Sequence, residues 1–493
     1  MTSTPDTTEN EFTVDDLTVP LRLLIDNAWV DGAEGGTIPV DNPSDGSLLA
    51  AIADATPADG TRAVDAAAAA LPAWSATPPR QRAEILRRCF ELMTAKSEQL
   101  ARLISLENGK ALPDARSEVV YAAEFFRWYS EEAVRLIGEI STSPSGSNRI
   151  VAQHQPIGVS ALITPWNFPA AMATRKLAPA LAAGCTTVLK PATLTPLTAL
   201  AIAQIMIEAG VPAGVVNVIT TRRTGAVMDV VLADPRVRKL SFTGSTEVGR
   251  HLLRQAADNV LSCSMELGGN APFLVFDDAD LDKAVDGAMI AKMRNGGQAC
   301  TAANRIYVQR GIHDRFARQL AKRMAELQVG AGYEAGTEVG PLVDDASVRK
   351  VDELVQDAVG RGATIEVGGA PIDSPGHFYP PTVVTGVPAD ARMVAEEIFG
   401  PVASLIPFDT DEEAIAAANS TEYGLAAYVF TEDLSRGMRA AERIESGMIA
   451  VNRGLVSDPA APFGGVKHSG LGREGAHEGM LEFTETKYIA VDW

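Results

Sequence analysis

Residues 294–305 read RNGGQACTAANR, which surrounds Cys300 with small and amide side chains. A structural cysteine usually sits among Leu, Val and Ile and behaves as a small hydrophobe. This one does not. A thiol attacks as its thiolate, and an unperturbed cysteine is only slightly ionised at pH 7, so a nucleophilic role needs a base, a cation or a helix N-terminus nearby. His251 is the only upstream histidine within reach in the sequence, and it lies in an ordinary helical pattern, which leaves a Cys-His hydrolase poorly supported. Glu266 in SMELGGNAP (264–272) is the better base: it follows a strand-like run and precedes two glycines, at the end of an element rather than on a solvated helix face.

The elements that must position these two residues alternate in type. GVSALITPW (158–166), CTTVLKP (185–191), GVVNVIT (214–220) and VRKLSFTGS (237–245) read as strands separated by helical patterns such as PLTALAIAQIMIEAGVP. That alternation predicts parallel β-α-β units in an open twisted sheet. The pattern restarts after MELGGNAPFLVF, so a second α/β domain is expected from about residue 268. An earlier helical stretch is expected to break at Pro78 and Pro79. Segments 140–157 and 483–493 have edge-strand character and need a partner. They are expected to pair with each other and with a second subunit, giving a homo-oligomer.

Composition narrows the function classes. The 493 residues, 46% hydrophobic and 22% charged, describe a soluble globular chain of two or three domains. A net charge of -20 argues against a nucleic-acid partner, and any anionic substrate must be held by a local positive pocket. The apolar runs are too short for a membrane span. Four widely spaced cysteines and a polar, acidic start (MTSTPDTTENEFTVDD) point to a reducing, cytoplasmic setting. Cys89, Cys185 and Cys263 are expected to be packed. No histidines stand at metal-ligand spacing, so no metal is expected.

MELGGNAP and GGQACTAANR, with TPWNFP (164–169), KPAT (190–193), FTGSTEVG (242–249), EEIFGP (396–401) and PFGGVKHSGLGREG (462–475) in order, resemble the aldehyde dehydrogenase superfamily over residues 20–493. The resemblance implies an α/β fold with a modified Rossmann cofactor domain (20–139 and 158–267), a second α/β catalytic domain (268–475) and a β-strand oligomerisation arm (140–157 and 476–493), after a flexible tail at 1–19. It implies a homodimer or homotetramer. It makes Cys300 the nucleophile, Glu266 the general base and the Asn167 amide, with the Cys300 backbone N–H, the oxyanion hole; Lys176 and Glu474 assist proton transfer. Glycines around Cys300 are expected to leave nicotinamide, aldehyde and water room to reach one sulfur.

For the cofactor, the same resemblance places Thr164, Pro165, Trp166 and Lys190 along the adenosine side, Gly244 and Ser245 at the pyrophosphate, Leu267 in the site, and Glu397 with Phe399 at the nicotinamide ribose. Many NAD-preferring relatives carry Glu where this chain has Thr193, which removes a carboxylate that would repel a 2′-phosphate. Arg222 and Arg223 follow the next strand and are expected to add positive charge, so NADP is favoured, with NAD the alternative. Arg175, Arg294 and Ser457 replace aromatic pocket residues of relatives that take apolar aldehydes. That trio is similar to the one in succinate-semialdehyde dehydrogenases and suggests a clamp for a substrate carboxylate, since Arg offers a planar fork. Pairing of the two arginines with local acids is the competing reading. Glutarate semialdehyde, a nonphosphorylating glyceraldehyde-3-phosphate activity, a CoA-acylating activity and a silent scaffold are the alternatives. Thr301 and Ala302 offer no second thiol for a redox switch beside Cys300.

Overall fold

A computed structural model describes residues 6–7 and 10–492. Its largest sheet has eight strands in the order Gly470–Leu471, Ser262–Glu266, Val237–Thr243, Val159–Ile163, Thr186–Lys190, Val216–Val218, Leu23–Ile25 and Ala28–Val30. The middle five run parallel, and the flanking strands are antiparallel. Val159–Ile163 and Thr186–Lys190 are buried along their whole length, as expected for parallel strands covered by helices on both faces. One covering helix, Pro169–Ala183, is itself buried at every residue and stops at Gly184, whose φ of +99° takes the left-handed conformation that ends helices.

The second sheet has seven strands: Thr364–Val367, Thr382–Thr385, Val402–Phe408, Ala303–Gln309, Ala271–Val275, Ala426–Phe430 and Met448–Val451, parallel except for the first. The catalytic candidates lie where the sheets approach one another, because Glu266 ends a strand of the first sheet and Ala271 begins one of the second. The N-terminal helical stretch breaks as expected, into Pro57–Ala76 and Pro79–Ala95. The first of these begins with a capping box between Thr56 and Asp59.

Strands Arg149–Pro156 and Thr484–Val491 pair antiparallel over eight residues, with Glu139–Thr142 on the far side. The two expected edge strands therefore find each other. Ile140, Tyr488 and Ile489 remain exposed on this small sheet. The tail needs correction. Residues 10–19, expected to be flexible, form most of a hairpin, Glu11–Val14 with Leu17–Pro20, and bury Phe12, Val14 and Val19 completely. Alternation of Phe12, Val14, Leu17 and Val19 was the apolar signal that the acidic residues around it masked. Among the described residues no helix is long and apolar enough to cross a membrane.

Candidate active site

The helix Leu281–Met293 carries the chain to Arg294, and the following turn breaks helical geometry at once: Asn295, Gly296 and Gly297 have φ of +53°, +58° and +78°. A β-carbon at position 297 would lie 2.1 Å from the Gly400 carbonyl oxygen, and one at 269 would lie 2.3 Å from that of Cys300. Left-handed backbone at 297 and close backbone contact at 297 and 269 therefore require glycine, a constraint additional to the expected access of ligands to the sulfur. Cys300 is half-buried at the end of this turn. Burial pushes its thiol up to about 12; Glu397 adds to the effect, while Arg175 and Arg294 oppose it.

Cys300 faces a cavity of about 240 Å³. Pro165, Trp166, Asn167, Gly244, Ser245, Leu267, Glu397 and Phe399 share its lining, so most of the expected cofactor strip converges there. Thr243, from the FTGSTEVG motif, lines it too, as do Met172, Ser347 and Lys350, which were not expected there. The N-terminus of helix Thr246–Asp258 opens on this space, with Ser245 as its N-cap accepting from Val248 N. Trp166 and Phe399 meet edge to face at 5.5 Å. Glu397 accepts from Gly269 N at 3.3 Å, and burial pushes its carboxyl up to about 7.

Thr164, Lys190 and Thr193 lie beside the cavity's strand ends rather than on its wall: Thr164 N donates to Lys190 O, directly after the paired residues Ile163 and Lys190. Burial alone brings Lys190 down to about 8, with no charged neighbour acting on it. Thr193 is half-buried. Arg222 and Arg223 do not stand as free positive charge. Arg222 contacts Asp54 at 3.8 Å and the Thr37 carbonyl, and Arg223 pairs with Glu34 at 2.9 Å.

The Asn167 amide donates to Gln298 O at 3.1 Å, leaving its second hydrogen for a ligand. Its backbone carbonyl is gripped by Asn295 Nδ2 at 2.9 Å and by Lys110 Nζ at 2.7 Å. Lys110 in turn forms a fully buried ion pair with Glu118 at 2.5 Å and lies 4.0 Å over the Phe168 ring. Glu118 Oε1 accepts from Ala170 N and Ala171 N, capping the helix that begins at Pro169. Sequence reasoning missed this pair.

Among the described residues, nothing hydrogen-bonds to either carboxylate oxygen of Glu266, and both are buried. Burial and then Glu474 drive its carboxyl well above the ordinary range, against Arg175, Lys176 and Arg473. Lys176 Nζ donates to Glu474 at 2.5 Å and to Ser241 at 2.9 Å. Burial opposes the charge on Glu474, yet Lys176 and Arg175 outweigh it and hold its carboxyl low.

Arg175 and Arg294 divide between the two expectations made for them. Arg175 Nε lies 2.7 Å from Glu474 Oε2, so a local acid does engage it, while its Nη2 is buried with no hydrogen bond. Its guanidinium rests 4.0 Å over Phe463. Arg294 has no acidic partner within ion-pair distance among the described residues. It lies 4.7 Å over Phe168 and donates to Ser457 Oγ at 3.4 Å. None of the trio lines the cavity at Cys300, but all three act on one side chain, Tyr121.

Comparison with known proteins agrees with this architecture. A model of the aldehyde dehydrogenase family matches residues 29–489. The succinate-semialdehyde dehydrogenase of Paenarthrobacter nicotinovorans is 55% identical, over 90% of this chain and 99% of its own. The NADP(+) succinate-semialdehyde dehydrogenase of Escherichia coli (strain K12) is 50% identical, over 95% of this chain and 97% of its own. A crystal structure of an NADP-dependent enzyme from E. coli superposes with a TM-score of 0.95 at 49% identity, covering 96% of this chain and 98% of that one. The chain belongs to the aldehyde dehydrogenase family.

Proposed function

We propose that the protein oxidises a short aldehyde bearing a carboxylate, succinate semialdehyde to succinate, with NADP as the preferred acceptor. The observation that carries the substrate is the pairing of Arg294 with Ser457, with no acid in ion-pair distance among the described residues, next to an Arg175 whose Nη2 is unbonded there. A buried guanidinium edge without a partner is costly, and a carboxylate satisfies it with strong charge-assisted bonds. The relatives named for succinate semialdehyde support the same choice.

The residues present fit a nicotinamide dinucleotide. Ser245 and the N-terminus of its helix suit the pyrophosphate, Lys190 has no charged neighbour acting on it among the described residues, and Glu397 with Phe399 stands at the cavity wall nearest the nicotinamide ribose in this reading. The bound nicotinamide ring supplies the hydride acceptor. Preference for NADP rests on Thr193, which presents no carboxylate to a 2′-phosphate, rather than on Arg222 or Arg223.

Cys300 Sγ forms the bond to the aldehyde carbon. Its proton must leave as it does so, because the buried thiol is un-ionised at neutral pH, and Glu266 is the unpartnered carboxylate in electrostatic reach. Asn167 Nδ2 and the Cys300 N–H hold the developing oxyanion; loss of one such donor typically costs ~10²–10³ in turnover. Once the carbon is oxidised, the acyl group remains on sulfur as a thioester. Glu266, having passed the thiol's proton on to Lys176 and Glu474, then takes a proton from the water that cleaves the thioester, and burial raises its affinity for that proton. Lys176 and Glu474 carry that proton onward. The exposed Ile140, Tyr488 and Ile489 form the surface on which a second copy packs, giving a homodimer or homotetramer.

The test is Arg294→Ala assayed with succinate semialdehyde and with butanal, each with NADP and NAD. Loss of a charged hydrogen bond predicts roughly a 10- to 100-fold fall in kcat/KM for the semialdehyde and little change for butanal. Equal losses on the two aldehydes would refute the clamp, and a strong preference for NAD would refute the reading of Thr193.

A further inference from the structure

The helix Leu112–Glu132 carries Tyr121 to the wall that holds Arg294 and Ser457. Its ring meets Phe125 edge on at 4.9 Å and lies 5.8 Å from the guanidinium carbon of Arg294. The hydroxyl oxygen is buried. Ser457 lies close enough to act on it, yet among the described residues no atom makes a well-formed hydrogen bond to it. Buried tyrosine hydroxyls normally find a partner, and the neighbouring Phe125 shows that this helix face accepts a plain aromatic ring. An oxygen kept here without a protein partner therefore needs another explanation.

Its surroundings supply one. Arg175 and Arg294 both act on the phenol, whereas burial keeps it protonated. Ser457 Oγ already accepts from Arg294 Nη1 and makes no well-formed bond with the phenol, while Glu474, which also acts on the phenol, is held by Arg175 and Lys176. The phenol, the serine hydroxyl and the two guanidinium groups can all donate a hydrogen bond, and together they point to an anion as the missing acceptor.

We infer that Tyr121 is a specificity-determining residue, its hydroxyl donating to the substrate carboxylate beside Arg294 and Ser457. The inference rests on the proposed function and adds a neutral donor to its two cations. That donor discriminates differently from an arginine: it contributes directional recognition of an oxygen acceptor and no long-range attraction. A site built to hydrogen-bond a substrate group penalises an analogue that lacks it far more than an apolar pocket penalises a missing methylene.

Tyr121→Phe keeps the ring and removes only the oxygen. The expected result is a rise of about tenfold or more in KM for succinate semialdehyde, with kcat within about twofold and butanal kinetics unchanged. Succinate, used as a dead-end competitor, should protect Cys300 from alkylation at a concentration raised by the same factor. That binding measurement does not depend on turnover. Equal changes with both aldehydes would assign Tyr121 to packing, and no change with either would leave the oxygen idle; both overturn the inference. If the wild-type protein itself fails to distinguish succinate semialdehyde from butanal, the underlying reading fails and this one falls with it. If the wild type discriminates and the variant is unaltered, only this inference fails.

Discussion

Lys110 and Glu118 allow stability and catalysis to be separated in one experiment. Their ion pair is fully buried at 2.5 Å, and Lys110 also donates to the carbonyl of Asn167 at 2.7 Å. Lys110→Met fills the space but strands Glu118 Oε2, while Oε1 still accepts from Ala170 N and Ala171 N. Breaking a buried pair by removing one member costs about 3–5 kcal/mol, most of it the penalty of the charge left behind. Glu118→Gln keeps an oxygen acceptor for the two amides and leaves Lys110 on the Asn167 carbonyl and the Phe168 ring, so its cost should fall near the low end. The double variant buries no charge at all. Its loss should be smaller than the sum of the single losses by at least about 2 kcal/mol, within the coupling range of contacting residues.

Activity should behave differently. Asn167 loses one of the two donors on its carbonyl in Lys110→Met and in the double variant alike, since Asn295 Nδ2 remains at 2.9 Å. A drop of about tenfold in kcat, roughly 1.4 kcal/mol of transition-state stabilisation, should persist when stability recovers. Denaturant midpoints and single-turnover rates on the four proteins decide the matter. Additive stabilities would show that the two charges do not depend on each other, and a kcat restored along with stability would show that Lys110 does not position Asn167.

Two further outcomes follow from buried groups. Alkylation of Cys300 in the cofactor-free protein, corrected with Cys300→Ser, should rise about tenfold per pH unit from 6 to 9 without a plateau, because its thiol lies at about 12; bending near 8.5 would indicate an unperturbed cysteine. Lys292 is buried with an unpartnered Nζ, and burial lowers it to about 7 from 10.5, so the unfolded chain binds more protons between those values. Stability should therefore rise with pH across about 7 to 10.5 from this residue, and Lys292→Met should raise the unfolding midpoint at pH 7 while flattening that rise; a lower midpoint would refute it.

Much of the site was legible because its parts occupy strand ends and turns, where local sequence dictates local geometry. TPWNFP, FTGST, MELGG and EEIFG each leave an element and deliver their residues to the same cavity. Edge strands 149–156 and 484–491 were legible for a similar reason, since alternation exposes an unmet need for a partner. Lys110 and Glu118 were not. A lysine and a glutamate at the start of a helix read as solvated, and only the packing of a second helix, Pro169–Ala183, removes them from water. The constraint on Gly297 was hidden for a related reason: it comes from the Gly400 carbonyl, distant in the chain. The ordered hairpin at the N-terminus escaped notice because charge concealed a short alternation of Phe12, Val14, Leu17 and Val19.

Two buried arginines show how the fold separates structure from reactivity. Arg305, fully buried, donates from all three of its nitrogens to the Asn270, Ala417 and Ala418 carbonyls at 2.8–3.2 Å and reaches Tyr307 Oη. It ties strand Ala303–Gln309 to its surroundings and leaves nothing to recognise. Arg175, equally removed from water, is held on one side by Glu474 and keeps Nη2 unbonded. Orphaned with it are both oxygens of Glu266, Asn167 Oδ1 and the Tyr121 hydroxyl. Each such atom destabilises the folded chain by an amount comparable to a lost hydrogen bond; Arg175 and Glu266 act on the Cys300 thiol and Asn167 shares its cavity, so these orphans stand where a substrate would satisfy them. The groups differ in kind as the chemistry requires: donors where the substrate's anion lies, a carboxylate where protons must be taken, and an amide beside the carbonyl oxygen. Replacing Arg175 by an isosteric apolar side chain should then cost the fold less than the same change at Arg305, while costing catalysis more.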